Sequence, residues 1–222
     1  MKYLIFDAGP LITLTMNGLL EVLEMLKKEF DGEFIITPKV KHEVIDKPMN
    51  IKEYELEGVK IQSLLDRNVL KMSADILPDK ELERETRKIM HALNSALSTK
   101  KDIKLIQEGE ASCIAFSRLC QRENMVVIDE RTTRLLTECP LEYKAMMEAR
   151  LKTRIKINKQ NLKLVKDIKY IRSAELLYIA YKKGLLKWKN KHLLDALLYG
   201  VKHKGAAISS SEIEEIKKLA KV

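Results

Sequence analysis

The chain has no Cys-x-x-Cys pair, and its three cysteines, Cys113, Cys120 and Cys139, leave an odd count. Zinc and redox sites need paired spacings, so structural roles are expected for all three. Cys113 and Cys120 stand seven residues apart, as small core-facing residues on one helix. The four histidines are scattered without metal-ligand spacing, so zinc is not expected. No apolar run approaches the ~20 residues that cross a bilayer, which excludes a membrane-spanning helix. The opening MKYLIFDAG turns acidic at its seventh residue and has no signal-peptide cleavage pattern, so a cytoplasmic protein is expected. Internal repeats, low-complexity tracts and Gly/Ser linkers are missing too, so composition alone does not cut the chain into independent units.

What remains is an ordinary globular composition, 45% apolar and 33% charged. Its 222 residues can bury a core as one domain, or as a domain with an appendage. The net charge of +9 is unevenly spread. Residues 1–151 carry 23 Lys/Arg against 26 Asp/Glu, whereas residues 152–191 carry 13 against 2. An acidic body with a strongly basic segment points to an anionic partner, nucleic acid being the commonest. Lysines that merely solvate helix faces would give the same count. Tyr178 and Tyr181 share a helix face with Ala174 and Leu177, which favours core packing over base stacking.

The run KYLIF reads as a buried strand that stops at Asp7, with a helix starting near Pro10 and broken near Gly18. Phe34–Thr37 reads as a second strand, and Pro38 opens a helix that carries Glu43. Residues 52–66 and 79–98 read as helices, and Lys100, Lys101 and Lys104 as an exposed connection. A helix begins near Glu108–Glu110 and runs to about Gln121. Met125–Ile128 is the clearest strand, closed by Asp129, and Thr153–Ile157 a short alternating one. Three helices end the chain, with Ser173 as the cap of the first and Ser211 with Glu214 as a capping box for the last. Strands alternating with helices predict a parallel sheet covered on both faces.

Two strands thus end in aspartate. In an open parallel sheet, side chains just past the carboxyl ends of strands face the ligand crevice, so Asp7 and Asp129 can meet across 122 residues of sequence. Asp is also a common turn former, which weakens either signal taken singly. Glu43 sits beside the apolar stripe formed by Val40 and Val44. Glu110 opens a helix that is apolar over most of its circumference, where a first-turn glutamate also favours the helix dipole. Glu108 rivals Glu110, and Glu130 shadows Asp129.

The stretches YLIFDAGPLITL, ITPKVKHEVID, LIQEGEASCIAFS and MVVIDERTTR resemble, in order, the successive acidic motifs of the PIN-domain family. The likeness is greatest to the stand-alone archaeal and bacterial proteins related to VapC ribonucleases. It covers residues 1–134, and continues more weakly through KYIRSAELLYIAYKKGLL and the closing helices. It implies an α/β fold, a PIN-like parallel sheet flanked by helices, over residues 1–157. A basic, mainly helical C-terminal extension over residues 158–222 would pack on that core. It also implies four carboxylates, Asp7, Glu43, Glu110 and Asp129, that bind Mg²⁺ or Mn²⁺ and hydrolyse RNA phosphodiester bonds, with Asp7 and Asp129 as the direct ligands. From their position after the fourth acid, Arg131 and Arg134 could hold a phosphate near the metal or simply pair with neighbouring acids. RNA is the implied partner; a homodimer through the helical tail and a protein inhibitor or antitoxin are partners that the resemblance allows.

Ala8 and Gly9 stand where many PIN domains carry Ser or Thr, and Thr13 replaces these only if the helix turn brings it round. That departure favours a second reading, a PIN-like module that binds RNA or protein with a weakened or absent nuclease site. An aspartyl phosphatase would need an Asp where Gly9 stands, and a receiver domain would cluster acids before its first helix.

Overall fold

The computed structural model describes residues 2–98 and 104–220. Five strands form one parallel sheet: β1 (Lys2–Phe6), β2 (Gly32–Ile36), β3 (Leu70–Met72), β5 (Asn124–Val127) and β7 (Tyr170–Ile171), in the order β3-β2-β1-β5-β7. A separate antiparallel pair joins β4 (Leu97–Ser98) to β6 (Lys156–Ile157). The helices are α1 (Ala8–Met16), α2 (Glu21–Glu29), α3 (Pro38–Lys41), α4 (Glu55–Asp66), α5 (Asp79–Asn94) and α6 (Glu108–Leu119). Beyond them come α7 (Arg131–Glu138), α8 (Pro140–Leu151), α9 (Lys159–Lys163), α10 (Ser173–Lys182), α11 (Leu193–His203) and α12 (Ser210–Ala220). This is the α/β architecture expected from the sequence, a parallel sheet flanked by helices with a helical C-terminal region. Among the described residues, no helix is long and apolar enough to cross a membrane.

Central strands of a parallel sheet are covered on both faces and therefore read as continuous apolar runs. Ile5, Phe6, Phe34, Ile35, Ile36, Val126 and Val127 are all fully buried, which is why these three strands were visible in the sequence. The short edge strands β3 and β7 were not expected. Thr153–Ile157 narrows to the two residues of β6, which pair outside the main sheet. Lys100 and Lys101 lie outside the described residues, and Lys104 is exposed.

The sheet runs past position 157, where the C-terminal extension was expected to begin. β7 hydrogen-bonds to β5, with Val126 opposite Tyr170 and Val127 opposite Ile171. The C-terminal region therefore supplies an edge strand as well as helices. Ser173 is the first helical residue of α10 rather than its cap. The capping box of α12 lies two residues before the expected Ser211 and Glu214. Ser209 Oγ accepts from Glu212 N at 3.2 Å while Glu212 Oε2 accepts from Ser209 N at 2.8 Å.

The chain moves from β1 outward through β2 and β3, then returns to add β5 and β7 on the other side of β1. The direction of winding thus reverses between β1 and β5. Ligands of open α/β sheets bind in the crevice outside the carboxyl ends of the strands at such a reversal.

Candidate functional site

Asp7 follows β1 and Asp129 lies just beyond β5, so both stand at that reversal. The register sets Phe6 opposite Val127, and Asp7 N–H donates to Val127 O at 3.0 Å. Asp7 also caps α1, its Oδ2 accepting from Gly9 N at 3.3 Å. Gly9 lies between the two acids: a methyl group built on it would stand 3.6 Å from Asp7 Oδ2 and 3.8 Å from Asp129 Cβ.

Glu43 arrives from the neighbouring strand. After β2, Thr37 caps α3 by accepting from Val40 N, and its hydroxyl bonds to the Ser112 hydroxyl of α6 at 2.6 Å. The chain then widens into a π-helical turn, His42–Asp46, anchored by buried Val44 and Ile45. Glu43 on this turn lies against Gly109, where an added Cβ would meet Glu43 Oε1 at 2.8 Å. A side chain at position 109 would push the carboxylate aside. Glu110, next along α6, is buried and accepts from the Thr133 hydroxyl at 2.5 Å.

Electrostatics ties three of these acids together. Burial pushes the Asp7 carboxyl up to about 7, Glu110 and Glu43 add repulsion, and the Ala8 and Gly9 N–H groups oppose the rise. Burial also raises Glu110 against the Thr133 hydrogen bond, with repulsion from Glu130 and Glu43. Burial raises Glu43, and the Gly109 N–H works against it. The buried thiol of Cys113 feels all three carboxylates and is pushed up, first by desolvation. No Lys or Arg within the described residues forms an ion pair with Asp7, Glu43, Glu110 or Asp129.

The structure separates the rival acids. Glu108 is half exposed and paired with Lys39 at 2.8 Å, whereas Glu110 is buried. Glu130 is exposed and caps α7 through Thr132 N, whereas Asp129 is only 2% exposed.

Asp129 differs from the other three. Its Oδ1 accepts from Ser173 N at 2.9 Å and its Oδ2 from Ser173 Oγ at 2.8 Å. Burial raises its pKa against these bonds and against the Thr13 hydroxyl, so the turn of α1 does bring Thr13 to this acid. Its carboxylate is thus fastened to the start of α10. Among the described residues, no three His, Cys, Asp or Glu side chains are grouped so as to hold a metal ion. The donor chemistry nevertheless suits a hard cation: Asp7, Glu43 and Glu110 offer only oxygen, and among the described residues none of them forms an ion pair, although Lys47 and His42 lie near Glu43.

The two arginines differ in their surroundings. Arg131 is exposed. Burial lowers the pKa of Arg134, whose charged neighbours are Arg172, Glu138, Glu175 and Glu212 and not the four acids. In the basic stretch, Tyr170, Tyr178 and Tyr181 pack against the core and Trp188 is 54% exposed. Lys183 and Lys187 pair with Glu29 and Glu21 of α2. Thr133 and Ser173, which hold two of the acids, were not marked as functional by sequence reasoning. Ser173 gave a signal, read as a cap; Thr133 gave none.

Comparison with family models, with curated proteins and with solved structures finds no match for the chain.

Proposed function

We propose that the chain is a divalent-metal-dependent ribonuclease of the PIN type, cleaving RNA endonucleolytically at the sheet reversal. The observation that carries this reading is the Asp7–Glu43–Glu110 group: three mutually repelling carboxylates, without an ion-pair partner among the described residues, at the edge where such sheets bind ligands. Asp7, Glu110 and Glu43 would hold Mg²⁺ or Mn²⁺, and Asp129 would join them if released from Ser173. Bound there, the cation supplies charge neutralisation for the acids and for the phosphate in the transition state.

The protein's own part is positional. Thr133 fixes the Glu110 carboxylate through its hydroxyl. Gly109 leaves room for Glu43. Asp7, pushed up to about 7 by burial and by its acidic neighbours, gives up its proton when a cation takes their place as its partner.

The test is cleavage of a labelled single-stranded RNA in Mn²⁺, in Mg²⁺ and in chelator. Metal-dependent cleavage that disappears in Asp7→Asn is expected. Equal activity in wild type and variant would mean a contaminating nuclease and remove the proposal.

The second reading, a PIN-like RNA- or protein-binding module with weakened or absent activity, is favoured by two observations. Both Asp129 oxygens are already engaged by Ser173, and no metal-holding group is assembled among the described residues. RNA binding without cleavage under any divalent cation would select it.

A further inference from the structure

We propose that the groove beside Glu43 is a base-binding subsite that selects guanosine in single-stranded RNA. Placing this base next to the cleaved phosphate rests on the nuclease reading; the binding itself does not.

The groove has a volume of about 470 Å³ and runs from Glu43 across α1, the wide turn and α4. Its walls carry Ile12, Met16, Ile51 and Tyr54, each 37–44% exposed. A contiguous apolar patch rimmed by polar groups marks a binding surface. Tyr54 offers an aromatic face, on which an unpaired base can stack.

The decisive group is Glu57, also in the lining. Its Oε2 is sealed from solvent and has no hydrogen-bond partner among the described residues. Leaving a buried acceptor unmade is unfavourable, so little opposes turning the Glu57 side chain into the groove, where both of its oxygens meet an occupant that brings N–H donors. Guanine alone among the bases presents two adjacent N–H donors, N1–H and N2–H, at the spacing of two carboxylate oxygens. Adenine and cytosine set an acceptor beside their amino group, and uracil flanks its one N–H with carbonyls; each would turn a lone pair on the carboxylate.

A partner protein's arginine also fits a carboxylate. Two cations in the same groove, Lys47 and Lys204, offset its two acids and can take the phosphates on either side of a nucleotide, which an arginine side chain does not bring. At the other end of the groove Glu43 joins it to the acid group, so a strand with its base on Glu57 passes the carboxylates of the sheet edge.

The test is equilibrium binding, in Mg²⁺, of fluorescent single-stranded heptamers identical except for one central G, inosine, A or U. The protein is the full chain carrying Asp7→Asn, so that cleavage does not enter the measurement. Guanosine is expected to bind about tenfold or more tighter than adenosine or uridine, with inosine, which lacks the N2 amino group, between them. Glu57→Gln, equal in size, should keep the fold, checked by its circular dichroism spectrum, and lose most of the preference. Equal affinities for the four RNAs, a preference that survives in Glu57→Gln, or no RNA binding at all overturns the proposal. Occupation by an arginine-bearing peptide in place of RNA overturns it in favour of a protein partner. Base selection with no cleavage by wild type keeps the subsite and removes only the nuclease reading.

Discussion

Two groups of charged side chains are drawn inward in this molecule, and they are treated in opposite ways. Around Arg172, only 8% exposed, the charge is closed: Glu175 pairs with it along α10 and Glu212 reaches it from α12 at 2.6 Å. Burial works against both sides, yet the Arg172 pKa is raised. That of Glu212 is held down to about 2 by Ser209 and Arg172. Around Asp7 the charge is left open, and the carboxyl is pushed the other way, to about 7. Buried charge that serves the fold is matched within the fold. Buried charge left unmatched costs stability and is what a binding site for a cation needs.

The sharpest way to break this contrast is Asp7→Asn. Under the nuclease reading it lowers cleavage on the order of 10³-fold, about 4 kcal/mol of transition-state stabilisation. It also removes a buried charge while keeping the cap on Gly9 N, so the metal-free variant should melt higher than wild type at pH 8. A variant that melts lower would mean that Asp7 serves the fold. Next comes the closed group: Arg172→Met leaves Glu175 and Glu212 facing each other unpaired. Breaking a fully buried pair costs about 3–5 kcal/mol. Glu212 is 41% exposed, so solvent screening reduces this to about 2–3 kcal/mol in urea unfolding.

A pH titration probes the same difference without mutation. Between pH 4 and about 7 the folded protein keeps a proton on Asp7 that the unfolded chain has released. The contribution of Asp7 to stability in chelator is therefore full below that window and falls as pH rises through it. Glu43, Glu110 and Asp129 are raised too and act in the same direction. Mn²⁺ should raise the melting temperature at pH 8 and have little effect at pH 5; equal shifts at both would contradict the acid group as its binding site. The smallest effect is expected from Gly109→Ala. The new methyl must displace the Glu43 carboxylate, which is a flexible end, so the loss should be about 1 kcal/mol in stability and about tenfold in cleavage.

Length and burial decide how much of this was legible in the sequence. KYLIF and MVVI announce themselves because both faces of a central strand must be apolar. Tyr170–Ile171 and Leu70–Met72 are too short to show any period, and they become strands only because a neighbour offers its backbone. The acids were visible as residues but not as partners. Nothing in EGEAS tells Glu108 from Glu110; Lys39, some 70 residues away, does so by taking the outer one. Similarly, Asp129 reads as the twin of Asp7, and only the fold reveals Ser173 on its carboxylate. Glu57 carries no mark in the sequence at all, because an unpartnered oxygen is a property of the packed α4.

At His42–Asp46 the backbone holds one residue more than an ordinary helical turn of the same rise. Deleting any one residue there would let the segment relax into a regular helix, in which each residue turns by about 100° instead of the smaller step of the wide turn, so the side chains within His42–Asp46 would be redirected. Val44 and Ile45 could then stay inside only by swinging Glu43 away from Gly109. The position of that acid depends on the number of residues in the loop as much as on their kinds, so this stretch should tolerate exchanges far better than gaps.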